Sequence, residues 1–124
     1  MKKEDTAAIR FQRERDELNN IVLKHAGKNL KRFYSLDSAV YRDGALPAKT
    51  KELLGFSTSL VLRCDDCILY HTIRCFEEGV TTEEFEEAVT IGLAVGGSIT
   101  IPHIRRAMKN WQELLDHGLP GKGK

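Results

Sequence analysis

The sequence has no apolar run that could cross a bilayer: its best candidate, 91–95, is five residues long and Gly92 interrupts it. Nor does an apolar signal-peptide core follow the polar start Met1-Lys2-Lys3-Glu4-Asp5. The sequence thus predicts a cytoplasmic protein with no membrane segment. An excess of charge of either sign is also missing. Nineteen Lys and Arg face eighteen Asp and Glu, a net charge of +1, which generates no broad field to attract nucleic acid or acidic membranes. Local basic groups such as Lys28, Lys31 and Arg32 read as a solvated helix face. Three cysteines are too few for a disulfide framework in a chain without a secretion signal. No stretch alternates apolar and polar residues over the length of a strand, so sheets are not expected.

What is present is enough apolar material, 41% of the chain, for a core, and enough charge, 30%, for a soluble surface. At 124 residues the chain is read as one domain, 1–124, ending in a Gly-Lys tail at 121–124 that is expected to fray. Apolar positions recur every three or four residues along six segments. The first runs from about Asp5 to His25, with Phe11, Leu18, Ile21 and Val22 on one stripe, and Gly27 punctuates it. The second, about Lys28 to Tyr41, carries Leu30, Phe33, Tyr34 and Val40 ahead of Gly44. Pro47 suits the first turn of the third, whose stripe is Leu53, Leu54, Ser57, Leu60 and Val61 and which also carries Glu52. The fourth starts near Cys64 and ends at Gly79, with Cys67, Ile68, His71, Cys75 and Phe76 on its inner face. Thr81-Thr82-Glu83-Glu84 is a capping-box pattern that starts the fifth, which turns Phe85, Ala88, Val89, Gly92 and Leu93 inward. The last, about Thr100 to His117, aligns Ile101, Ile104, Met108, Trp111 and Leu115, and Gly118 and Pro120 end it. The fold class expected is all-α, a single-domain bundle of about six helices.

The chemistry concentrates in Cys64-Asp65-Asp66-Cys67-Ile68-Leu69-Tyr70-His71. Steps of three and four residues return to one face of a helix, so Cys64, Cys67 and His71 become neighbours. A thiol in the first turn meets unpaired N–H groups and the positive end of the helix dipole, which favour its thiolate. Asp65 and Asp66 oppose that ionisation by their charge. His71 is placed to accept a proton from Cys67, and Glu52 of the preceding helix to orient the imidazole. Two other readings of the same residues stand beside this one. The cysteines can be small core residues, or they can join His71 in a zinc site completed by Asp66, Glu52 or His103. Cys75 reads as core. His103, after Pro102, is a possible wall of the same cavity, whereas His25 and His117 are explained by the C-terminal ends of their helices.

Glu52, eleven intervening residues and then Cys64-x-x-Cys67-x-x-x-His71 resemble the signature of the carboxymuconolactone decarboxylase and alkylhydroperoxidase-D-like family. The resemblance spans about Leu46 to Trp111, with an Ala-Val-Gly-Gly segment at 94–97, so 46–111 is read as the core and 1–45 as added N-terminal helices. What it implies is an alkylhydroperoxidase-D-like helical fold assembled as a homo-oligomer, a trimer or hexamer, with no metal or flavin cofactor. It also implies a thiol-dependent peroxidase or disulfide reductase serving antioxidant defence. In that role Cys67 attacks, Cys64 resolves it into a disulfide, and His71 and Glu52 relay the proton. The substrate would be a hydroperoxide or disulfide, and a lipoyl- or thioredoxin-type donor would reopen the bond. Asp66 stands where the best-known peroxidases of the family have a histidine. Members that act as lactone decarboxylases lack the cysteine pair; a lyase of that kind and a non-catalytic helical assembly module are the alternatives.

Overall fold

The computed structural model describes residues 6–120; the polar start at 1–5 and the Gly-Lys tail expected to fray at 121–124 lie outside the described residues. Six α-helices follow one another, α1 (Ala7–His25), α2 (Lys28–Val40), α3 (Ala48–Leu62), α4 (Asp65–Glu77), α5 (Thr82–Gly96) and α6 (Ile101–His117), with a short 3-10 turn at Ser98–Thr100 before the last. The described residues contain no strand, and the all-α expectation is met. Local chemistry sets the boundaries. The Thr6 hydroxyl accepts the Ile9 N–H and opens α1. Thr81 and Glu84 form the reciprocal capping box of α5, each side chain accepting the other residue's N–H at 3.1 and 2.9 Å. Pro47 lies one position earlier than expected, as the N-cap of α3. The Ala48 N–H is taken up by Asp43 Oδ1 at 2.7 Å.

The core forms where α3 packs on α4 and α5 while α6 closes over α4. Phe85 lies at its centre, stacked on Trp111 with centroids 4.2 Å apart and tilted against Phe56 at 4.5 Å. The Trp111 indole N–H donates to Thr82 Oγ1, so its one polar atom is satisfied. Phe56, Leu60 and Phe85 are fully buried, and each such side chain contributes about 1.5–3 kcal/mol. Gly92 lets α5 approach α3 closely, since a Cβ there would lie 2.9 Å from Leu60 Cδ1.

Four of the expected stripes point elsewhere. Helix α3 buries Glu52, Phe56, Ser59 and Leu60, while Leu54 is exposed. Apolar and polar residues are spread around this helix without a clear stripe, so periodicity alone gives it little direction. In α6 the buried line is Ala107, Trp111 and Leu114, and Leu115 faces out. The largest departure is in α1 and α2: the former fully buries only Ala8 and the latter nothing. Leu18, Ile21, Leu30, Phe33 and Val40, expected inside, are exposed, because no further layer of the described residues covers them. Helix α5 follows its expected face, with Phe85, Ala88, Val89 and Gly92 buried.

The link between α3 and α4 positions the site. Arg63 takes the left-handed conformation (φ 58°), alone among the described non-glycine residues, at a cost of about 1–2 kcal/mol. Its N–H returns to Leu60 O, and the Cys64 N–H to Ser59 O. The chain therefore reverses within two residues, and α4 folds back along α3 with His71 opposite Glu52.

Candidate active site

Cys64 is the N-cap of α4, in extended conformation, and its sulfur accepts the Cys67 N–H at 3.3 Å. The same sulfur donates its S–H to Cys67 Sγ at 2.7 Å. Both thiols are free; Cys64 is half-buried and Cys67 exposed. The expectation that the helix start would favour a Cys67 thiolate is not met. Partial burial of the sulfur, contact with Cys64 and the charge of Asp66 push the Cys67 thiol up to about 11, outweighing the Cys67 N–H, which favours the thiolate. A base is thus required to ionise it near neutral pH.

An imidazole lies one turn along the helix. His71 is 7% exposed, and its Nδ1–H donates to Oε1 of the fully buried Glu52 at 2.8 Å. With Nδ1 engaged, Nε2 keeps its lone pair for proton exchange. Glu52 Oε2 accepts no hydrogen bond from the described residues, but Arg74 Nε stands 3.4 Å away. The guanidinium is itself fixed by Glu77 at 2.7 Å and Glu78 at 2.8 Å. A buried carboxylate is tolerated only with such partners, since removing one typically costs 3–5 kcal/mol. Gly55 gives the imidazole its room: a Cβ there would sit 2.7 Å from His71 Cε1.

Cys67 and His71 open onto a cavity of about 850 Å³ between α1, α2, α3 and α4. Its outer wall is apolar, formed by Phe11, Leu18, Val40, Leu54 and Leu62. Tyr41 and Tyr70 flank His71 with ring centroids 5.2 and 5.1 Å from it. Arg15 lies over the Tyr70 ring at 4.4 Å. The two tyrosines also border a smaller, polar cavity that holds Arg42, Asp43 and Arg74.

Of the residues singled out in the sequence, Cys64, Cys67, His71 and Glu52 therefore come together. His103 does not join them: its imidazole pairs with Asp65 Oδ1 at 2.7 Å, outside the cavity, and Arg106 reaches the other oxygen at 3.2 Å. Asp66 lines the cavity. Cys75 is in the core, where burial and the charge of Glu52 push its thiol up to about 12. Among the described residues no three His, Cys, Asp or Glu side chains are grouped so as to hold a metal ion. No helix among them is long and apolar enough to cross a membrane. Sequence reasoning missed Gly55, Arg74, Tyr41 and Tyr70. A glycine in mid-helix and an arginine three residues after His71 were the available signals; Tyr41 had none, because α2 meets the site only in the fold.

An all-helical chain with vicinal thiols beside a His–Glu pair is the class that fold and site define. The model of the carboxymuconolactone decarboxylase family matches residues 28–110, and the chain belongs to that family. Two crystal structures of one Thermotoga maritima protein superpose with TM-scores of 0.84 and 0.82, at 56% and 55% identity, over 86% of this chain and 94% and 91% of theirs. That protein is described as a carboxymuconolactone decarboxylase family member for which a part in antioxidative response is suggested. An uncharacterized protein of Cupriavidus necator is 30% identical over 82 residues, 66% of this chain and 73% of its own length. A Legionella pneumophila family protein shares the fold, with a TM-score of 0.74 at 23% identity over 90% of this chain and 96% of its own.

Gly55→Ala is expected to displace the imidazole and to destabilise the fold by about 1–3 kcal/mol, measured by urea unfolding; an unchanged midpoint would show that His71 yields freely. The thiols supply the pH dependence. A Cys67 pKa of about 11 against an ordinary 9.0 means that the folded state holds this proton more tightly than the unfolded one. Its contribution to stability is complete below pH 9.0 and is lost as the pH rises towards 11. Iodoacetamide labelling of Cys67, resolved by peptide mass spectrometry, should keep accelerating through that interval, and a plateau near pH 9.0 would contradict the assignment.

Proposed function

We propose that this protein is a thiol-dependent peroxidase or disulfide reductase in which Cys64 and Cys67 cycle between dithiol and disulfide, with His71 and Glu52 as their proton relay. The observation that carries the reading is the 2.7 Å approach of the two sulfurs at the mouth of a cavity that also holds an imidazole fixed by a buried carboxylate. Because Cys67 keeps its proton at rest, His71 removes it when a substrate is present. The thiolate attacks a peroxide oxygen and becomes a sulfenic acid, and the Cys64 thiol condenses with it to release water and close the disulfide. A dithiol donor of the lipoyl or thioredoxin type then reopens the bond by exchange. The description of the Thermotoga maritima relative agrees with an antioxidant role. This reading sets the protein in the cytoplasm, where thiols are kept reduced.

Mass spectrometry of the reduced protein should show the loss of two hydrogens from the Cys64–Cys67 peptide after addition of peroxide. Cys67→Ser should abolish the loss, and His71→Ala should slow it by roughly 100-fold. Retention of the full rate in His71→Ala would remove the relay.

We further propose that the chain works as a homo-oligomer, a trimer or hexamer. Supporting this, Leu30, Phe33, Leu36 and Val40 leave one side of α2 apolar and exposed, more than an isolated subunit ordinarily tolerates. Light scattering is expected to give a multiple of the 14.0 kDa chain mass; the mass of one chain would overturn the assembly.

A further inference from the structure

Tyr41 is held in place with unusual care for a residue on a helix that buries nothing. It follows the last residue of α2, and the carbonyls on either side of it, Val40 O and Arg42 O, both accept hydrogen bonds from Lys51 Nζ at 2.8 Å. Lys51 is on α3, next to Glu52. The backbone of Tyr41 is therefore tied to the helix that carries the buried carboxylate, while the rest of α2 is left loosely packed. Its half-buried ring leans on His71, with centroids 5.2 Å apart, and lines the same cavity as Cys67. Among the described residues no group takes a hydrogen bond from its hydroxyl, so the donor is free for something inside the cavity. Tyr70, the other tyrosine there, has its face taken up by Arg15.

Thiol attack on a hydroperoxide creates a need that neither cysteine meets. As the S–O bond forms and the O–O bond breaks, sulfur is oxidised by two electrons and the departing oxygen leaves as an alkoxide. That oxygen is a strong base and must be protonated. His71 has just received the thiol proton, and its Nδ1 is engaged by Glu52, so a second donor across the cavity would divide the two tasks.

We propose that Tyr41 is a catalytic acid of the peroxide step, donating first a hydrogen bond and then its proton to the oxygen that departs when Cys67 attacks a hydroperoxide. The inference rests on the peroxidase reading and deepens it. The balance closes as Cys67–SH plus ROOH gives Cys67–SOH plus ROH: the thiol proton goes to His71, the phenol proton to the alkoxide, and the imidazolium returns one proton to the phenolate. Burial, with the charges of Asp37 and Glu52, raises the phenol above its ordinary value, so it carries its proton throughout the neutral range. The substrate class favoured is a hydroperoxide whose departing oxygen is strongly basic, with an apolar group that the Leu18, Val40, Leu54 and Leu62 wall can cover.

The test compares two oxidants on the reduced full-length protein, following the loss of Cys67 thiol in a single turnover. Tert-butyl hydroperoxide releases a basic alkoxide that needs a proton, whereas peracetic acid releases acetate, which needs none. Tyr41→Phe is expected to slow tert-butyl hydroperoxide by roughly 100-fold and to leave peracetic acid within about twofold. An equal fall with both oxidants would reduce Tyr41 to a structural role, and no fall with either would remove it from the step; both results overturn the proposal. A wild-type protein inert to both oxidants would overturn the peroxidase reading and this proposal with it, while an active wild type with equal rates in the variant overturns the Tyr41 assignment alone. Should Tyr41→Phe fold poorly by circular dichroism, Lys51→Met keeps the phenol but frees its flanking carbonyls. The same selective loss on tert-butyl hydroperoxide is then expected, and an unselective one overturns the proposal.

Discussion

A carboxylate with no solvent exposure is a costly thing to place in a small helical protein, and the structure is arranged around making Glu52 tolerable. One oxygen is satisfied by His71, the other faces the charge of Arg74, and that guanidinium is in turn clamped by Glu77 and Glu78. All of these partners lie on α4 or at its C-cap, so the pair can form only if α4 runs back along α3. The strained Arg63 turn enforces this path. Gly55 then leaves the space that the imidazole fills. Turn, glycine and arginine are three unrelated local features, and they share one cause: the need to keep a charge and a base together away from water.

The thiol and the base are complementary. A cysteine already ionised at rest would react with any electrophile that reached it. Here burial, the neighbouring Cys64 and the charge of Asp66 hold the Cys67 proton on, and the imidazole one turn further along α4 is held by Glu52. Thiols, imidazole and carboxylate thus keep their mutual positions only while α3 and α4 stay packed together.

Much of this was readable from the sequence where local rules suffice. The capping box at Thr81 and Glu84, the glycine stop at Gly79 and the turn-by-turn spacing of Cys64, Cys67 and His71 are properties of short segments, and each element formed where expected. What was illegible depended on neighbours distant in the chain. The orientation of α3 could not be read because both α4 and α5 compete for its apolar surface. The stripes of α1 and α2 were visible, but nothing in them told that they would stay exposed among the described residues. Tyr41 gave no sign, since its place beside the cavity depends on a lysine ten residues away reaching back to two carbonyls. The state of Cys67 was not legible because the helix-start effect and the acidic neighbours oppose each other, while the burial of the sulfur and its contact with Cys64 that raise the thiol belong to the fold.

The loose attachment of α2 has a consequence for how such a site diversifies. This helix contributes no fully buried residue, yet Asp37, Val40 and Tyr41 from its end border the space beside the reactive sulfur. Folding energy and ligand preference are therefore encoded in different parts of the chain. Mutational drift along α2 can explore new molecular shapes while the thermodynamic foundation beneath stays as it was, so descendants with divergent appetites need not pass through unfolded ancestors.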